Sequence, residues 1–379
     1  MLDRFAPPPE TRRILKLARS DRAAAERELA ELSAERQVAL VCEAPVARRA
    51  ELLELLPAPE RVVPQLPEAE LCFTVKAIGL ADAAWILEYA TPDQVVACLD
   101  LDAWGAAAPD RASLDAWFDA LAETSADAFL RGALALDPEI VCLYLRSRIE
   151  VVLKHGDDPD WQDPPGAQTL DGQFYFTPRS EGDDVAAIVQ MLRTLFVSDY
   201  WTYFRLLQGV IWELDAANEE WALRWRTGRL EDLGFPPWER AMNIYHYLAP
   251  PERAALPRDA APLEVYEWRL PVWVPQLPTG PDARQLVFRS IALLEPEERR
   301  GAFFALVALA NKVAVADRLP LSDVDSTPLA LEKAARFASA GLEFVAAENR
   351  VEPVEVLRRA PLERLFNVGA NLDPEGAKP

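Results

Sequence analysis

Histidine is nearly absent from this chain: 379 residues hold only two, His155 and His246. Neither has a second histidine or a cysteine near it in sequence with which to build a site. Cysteine is scarce as well. Cys42, Cys72, Cys98 and Cys142 lie far apart with no C-x-x-C pair, so their spacing writes neither a zinc site nor a redox dithiol. No phosphate loop or nucleophile elbow occurs. Long hydrophobic runs are missing too. The longest, from Gly301 to Ala310, stops at Asn311-Lys312, well short of the roughly 18 residues of a membrane span. Ile14, Leu15 and Leu17 never extend into the apolar segment of a signal peptide. Positive charge is in deficit, with 40 Lys and Arg against 61 Asp and Glu and a formal charge of -21. Phosphate-backbone affinity needs clustered Lys and Arg, so direct nucleic-acid binding is not expected. An acidic surface suits solubility or a protein partner with a basic surface. The expectation is a cytoplasmic protein with reduced, buried thiols, no membrane insertion and no cofactor.

What the chain does have is a recurring mark: a capping or polar residue, then proline, then an acid, ahead of an apolar run. It stands at Thr91-Pro92-Asp93, Asp137-Pro138-Glu139 and Glu295-Pro296-Glu297, with looser forms at Leu66-Pro67-Glu68 and Thr327-Pro328. Proline at the first helical position loses no hydrogen bond, and an acid there meets the positive end of the helix dipole. Each mark predicts a helix start. Between residues 50 and 104 the predicted helices are two to three turns long and closely spaced, so each must bury its face on a neighbour, as in a helical superhelix. The first fifty residues carry ten Lys or Arg against eight Asp or Glu, which makes this the one basic stretch.

A helix is predicted from Asp137-Pro138 toward Leu153, and a β-like run at Phe174-Tyr175-Phe176. Val185, Ile188, Val189, Leu192 and Leu195 keep one helical stripe, and Tyr200, Tyr203, Phe204, Leu207 and Ile211 another; both are expected to face a core. Eight of the eleven tryptophans fall between Trp161 and Trp273, which places the densest core in this middle region. Four carboxy-terminal helices are predicted over Arg284 to Leu294, Glu297 to Ala316, Pro328 to Glu348 and Pro353 to Leu365, with a frayed end from residue 371. The predicted fold is all-α: a superhelical stack of short helices over 1–155, a Trp-rich helical middle over 183–250 and a helical lobe over 283–370. The connecting segments 156–182 and 251–282 carry minor irregular or β character.

Candidate chemistry is thin. His155, Asp157, Asp158 and Asp160 offer donors suited to a divalent metal, but the glycine and glutamate spacing of a calcium loop is absent. The alternative is an acidic turn, with Gly156 stopping a helix. Arg224, Arg226 and Arg229 interleave with Trp221 and Trp225, a set able to hold a phosphate, a nucleotide or an acidic peptide. Equally, those arginines can stack on the tryptophans or pair with Glu219, Glu220, Glu231 and Asp232. Asp323-Val324-Asp325-Ser326-Thr327 matches a phosphatase nucleophile loop in letters only, because a helix rather than a buried strand is expected before it. His246, between Tyr245 and Tyr247, is expected to sit on a helix in a structural role. No catalytic residue is assigned.

The rhythm L-L-E-L-L-P, V-V-P-Q-L-P-E, W-I-L-E-Y-A-T-P-D and V-V-A-C-L-D-L-D across residues 52–104 resembles the cytoplasmic amino-terminal helical domain of MgtE magnesium transporters. That likeness implies a Mg²⁺-responsive helical domain. The whole chain resembles an uncharacterised bacterial all-helical family, domain of unknown function 6178. The resemblance lies in E-L-C-F-T-V-K-A-I-G-L at 70–80, T-L-D-G-Q-F-Y-F at 169–176, W-R-T-G-R-L-E-D-L-G-F-P at 225–236 and L-A-N-K-V-A-V-A-D at 309–317. It implies an all-helical cytoplasmic protein and supplies no reaction. The functional expectation is a non-enzymatic interaction or scaffold protein. The alternatives are a phosphate or nucleotide binder or enzyme using the 224–229 region, and the Mg²⁺-responsive domain.

Overall fold

A computed structural model describes residues 8–105, 107–156, 160–180, 185–258 and 284–378. The fold is all-α with one small sheet. It divides into two compact units, Met1–Arg226 and Thr227–Pro379.

The first unit opens with α1 (Pro9–Ser20), α2 (Arg22–Ala30), α3 (Ala34–Glu43) and α4 (Val46–Leu53). Asp21 and Ser33 cap α2 and α3 by accepting from the Ala24 and Arg36 amides. Short helices follow, α5 (Pro59–Val62), α6 (Glu68–Ile78), α7 (Ala84–Leu87) and α8 (Pro92–Asp102). The Thr91-Pro92-Asp93 mark opens α8 as read, through a capping box in which Gln94 N donates to Thr91 Oγ1 at 3.2 Å and Thr91 N to Gln94 Oε1 at 2.9 Å. The buried Gln94 amide also donates to the carbonyls of Val63 and Leu66, both at 2.8 Å. One side chain thus starts a helix and ties it to the turn one layer earlier.

Next come α9 (Arg111–Ala122), α10 (Ala126–Ala135) and α11 (Pro138–Arg148). The helix expected to run toward Leu153 stops at Arg148. Ile149–Leu153 is instead strand β1, a β-branched stretch that pairs antiparallel with β3 (Phe174–Pro178), which also pairs with β2 (Gln168–Thr169). Gly156, at φ +56°, therefore follows a strand rather than stopping a helix. Then α12 (Ala186–Ser198), α13 (Tyr200–Trp212) and α14 (Asp215–Asp232) complete the unit, α14 running across its boundary. Phe174 of β3 meets the rings of Tyr203 and Phe204 edge-on, at 6.2 and 5.6 Å between centroids.

The second unit holds α15 (Trp238–Ala241), α16 (Pro250–Arg253), α17 (Leu286–Ala292), α18 (Pro296–Ala316), α19 (Ser326–Asn349), α20 (Pro353–Arg359), α21 (Leu362–Leu372) and α22 (Pro374–Ala377). Its core gathers Leu306, Val313, Phe337, Leu342, Leu365 and Phe366 from the three long helices. The single helix expected over Pro353 to Leu365 is two, because Pro361 carries no amide to continue the first and stands immediately before the second. The expected frayed end is also corrected: Asp373 accepts from the Gly376 amide, α22 forms, and Ala377 is buried. His246 follows a 3-10 turn, Met242–Tyr245, in extended conformation rather than sitting on a helix.

Candidate functional site

Of the tryptophans expected to anchor the densest core, five are on the surface and Trp161 is half-buried against the Tyr175 ring. Trp201, Trp212, Trp221, Trp225 and Trp238 are all exposed, whereas among the described residues the fully buried tryptophan is Trp117, outside that region. Trp268 and Trp273 lie outside the described residues. On α13 the inward stripe is Tyr203, Leu206, Leu207 and Val210. Tyr200, expected in the core, is exposed, and Phe204 and Ile211 are half-buried. Trp201 and Trp212, eleven residues apart, fall at nearly the same angle around the helix and are 66% and 53% exposed. Arg205 stands between them on that face, one turn after Trp201. Trp201 stacks on Phe204 at 6.0 Å, and Val197, near the end of α12, is also exposed. The signal for this face was in the sequence, as the spacing of eleven between two tryptophans, but it fixes a shared side and leaves open which side faces water.

Arg146 of α11 holds the carboxy-terminal end of α13. Its guanidinium donates to the carbonyls of Val210 at 3.0 Å, Gly209 at 2.7 Å and Glu213, and pairs with Asp215 at the start of α14. The Val210 and Glu213 carbonyls lie at the end of α13 and just past it, where no further helical amide reaches them, while that of Gly209 also accepts from the Glu213 amide at 3.0 Å, so one arginine ties down the last turn that carries Trp212. Arg111 adds bonds to Asp215 at 3.1 Å and Glu219 at 3.0 Å.

Beside this face, residues of α10, α11 and α13 and the turns next to them line a partly open cavity of about 110 Å³. Leu134, Leu136, Val141 and Leu206 form apolar wall, and Glu139, Arg205 and Glu213 bring charge to it. Oε2 of Glu139 is buried and has no hydrogen-bond partner among the described residues. Cys142 also lines the cavity, its thiol pushed up to about 12, first by burial and then by the Glu213 carboxylate. It is a packed thiol rather than a nucleophile.

The arginine and tryptophan set on α14 is split by the helix. Trp221, Arg224 and Trp225 share an exposed side, with Trp221 and Trp225 stacked at 6.4 Å and the Arg224 guanidinium 4.8 Å from the Trp221 ring. Arg226 points elsewhere. It lies 4.9 Å over the Trp104 ring and donates from Nε to the Asp100 carbonyl at 2.7 Å, near the end of α8. Arg229 is half-buried and engaged. Of the acids offered as partners, Glu219 pairs with Arg111 and Glu231 with Arg240. The three arginines therefore do not converge on one ligand position.

Of the residues suited to a metal, His155 and Asp160 are exposed, and Asp157 and Asp158 lie outside the described residues. Among the described residues no group of three His, Cys, Asp or Glu side chains is placed to hold a metal ion. Asp325 precedes α19 as its cap residue, and the Asp325 amide donates to Asp323 Oδ1 at 3.0 Å, so the phosphatase-like letters form a helix entry. All four cysteines are free and buried. Among the described residues no helix is long and apolar enough to cross a membrane.

A family model described as a family of unknown function (DUF6178) matches residues 26–373. No curated protein and no solved structure matches the chain.

Proposed function

The chain belongs to the family of unknown function DUF6178, and we propose that it acts as a non-enzymatic protein-interaction module. The observation that supports this reading is the exposed face of α13, where Trp201 and Trp212 flank Arg205 on a helix whose opposite side is buried. Tryptophan and arginine are among the residues most enriched where binding energy concentrates, tryptophan because it brings a large rigid apolar area with only two rotors to freeze, arginine because its planar guanidinium both stacks and donates several hydrogen bonds. Leaving two indoles in water costs burial energy of about 25 cal/mol per Å² of apolar surface, which a docked partner would recover. The short stacked helices of the first unit suit an extended, superhelical binding surface, and an acidic chain suits a basic partner. Four buried free thiols fit a reducing, cytoplasmic setting.

The test is photocrosslinking in producing cells, with benzoylphenylalanine placed at 201, at 212 and, as control, at the exposed Glu297. One adduct of the same mass from 201 and 212, absent from 297, is expected. Adducts alike at all three positions, or none at 201 and 212, would overturn the proposal.

A further inference from the structure

The cavity between α10, α11 and α13 has two features that together specify a ligand. Part of its wall is aliphatic, from the exposed Leu134 through Leu136, Val141 and Leu206. One of its polar groups is unmatched. Glu139 presents a buried carboxylate oxygen with no donor, and Glu213 brings a second carboxylate. Arg205 lines the same cavity, yet forms no ion pair with either among the described residues. A buried acceptor without a donor costs on the order of 1–3 kcal/mol, and more when it is charged. The protein's own cation does not supply that donor.

We propose that this cavity binds a primary alkylammonium group, its N–H donating to Glu139 Oε2, its charge shared with Glu213, and its stem lying on the leucines. The size fits. At about 110 Å³ the space is somewhat smaller than the roughly 150 Å³ apolar cavity known to admit benzene, and a chain of four or five carbons is slimmer than that ring. The charges fit as well: Glu139 and Glu213 meet only Arg205 in the lining, the neighbouring Arg146 is already paired with Asp215, and the exposed Arg205 is screened by water. A free amine and a lysine side chain share this chemistry. The cavity shares Arg205 with the proposed docking face, yet the proposal does not rest on that reading and is tested without any protein partner.

The experiment is ligand-observed NMR on the intact chain with n-butylammonium. Saturable binding in the millimolar range is expected, with n-butanol at least about tenfold weaker because it lacks the charge-assisted donor. Glu139→Gln lowers affinity about tenfold or more, and Glu213→Gln, at a more exposed position, about threefold. The second variant keeps the test alive if the first perturbs folding. Arg205→Gln strengthens binding, because it removes the only opposing charge in the cavity lining. Glu297→Gln, on an exposed turn, leaves binding unchanged and so separates the cavity from general attraction to an acidic chain. Two further probes identify the source, and either outcome supports the site: tighter binding of Nα-acetyl-lysine methylamide points to a lysine side chain, tighter binding of 1,5-diaminopentane to a free amine. Equal binding of n-butanol, weakening by Arg205→Gln, acetate saturating the site, or no effect of both glutamate variants would each overturn it.

Discussion

Gly341 of α19 and Gly369 of α21 face one another's helices so closely that neither position has room for a methyl group. A Cβ at 341 would lie 1.9 Å from the Leu365 carbonyl oxygen, and one at 369 would lie 2.0 Å from that of Phe337. The opposing atoms are backbone, which cannot swing aside as a side chain can. Gly341→Ala and Gly369→Ala should therefore each push the two helices apart and cost about 3 kcal/mol, the upper end of ordinary overpacking. Gly228→Ala is the matched control, a helical glycine with nothing within 4 Å of its added methyl, and should stabilise by roughly 0.5–1 kcal/mol. Urea denaturation of the three variants decides the matter; equal effects at 341 and 228 would refute the close approach.

A buried ion pair holds the early helices together. Arg49 of α4 and Glu70 of α6 meet at 2.6 Å with both side chains 6% exposed, and Arg49 also donates to the carbonyls of Cys42 at 2.9 Å and Ala44 at 3.2 Å. Arg49→Met should cost about 3–5 kcal/mol, because it takes the guanidinium away from a buried carboxylate and from two carbonyls. Adding Glu70→Leu should recover a part of that loss, since the buried charge is gone while the carbonyls no longer receive the guanidinium. A double-mutant cycle by chemical denaturation measures the coupling, and a double variant no more stable than Arg49→Met alone contradicts the account.

How far the sequence spoke for this protein depends on which distance a feature spans. The proline-and-acid marks are local, and they read correctly at Thr91-Pro92 and Glu295-Pro296, because capping is settled within four residues. The break at Arg148, where a helix becomes β1, depends on a partner strand some 25 residues later and could not be read from periodicity alone. Tryptophan count misled for a similar reason: composition says how much apolar surface a segment carries, while only packing says whether it is covered. Glu139 was legible as a helix-start acid, and its second identity as a cavity wall comes from α13, which lies about sixty residues away in sequence.

The split of the α14 arginines predicts unequal consequences for two neighbouring substitutions. Arg224 rests on Trp221 at the surface, so Arg224→Ala should change stability by no more than about 0.5 kcal/mol. Arg226 spans from α14 to the Asp100 carbonyl and the Trp104 ring, so Arg226→Ala should cost about 1–2 kcal/mol, and Arg226→Lys should recover only part because it loses the planar stack. Thermal unfolding of the three variants gives the ranking. Were Arg224→Ala the more damaging change, the assignment of Arg226 as the structural arginine would be wrong.

Burial of the thiols and two tyrosines sets how stability should respond to alkali. Burial, as the first cause, raises Cys42 and Cys98 above the ordinary thiol value of 9.0, pushes Cys142 up to about 12, and raises Tyr203 and Tyr245 above 10.0. A group whose folded value lies above its unfolded one stabilises the fold fully below the unfolded value and loses that contribution as pH rises toward the folded one. For Cys142 the window runs from about 9 to about 12, at up to about 1.4 kcal/mol per pH unit. The urea midpoint should hold constant from pH 7 to 8.5 and then fall, and Cys142→Ala should flatten that fall in part while lowering the plateau through its lost packing. At pH 8 the native chain should not react with a disulfide reagent, because all four thiols are buried, and four equivalents should appear on unfolding. A midpoint unchanged to pH 11, or a thiol that reacts within seconds in the native state, would show that these groups are open to water.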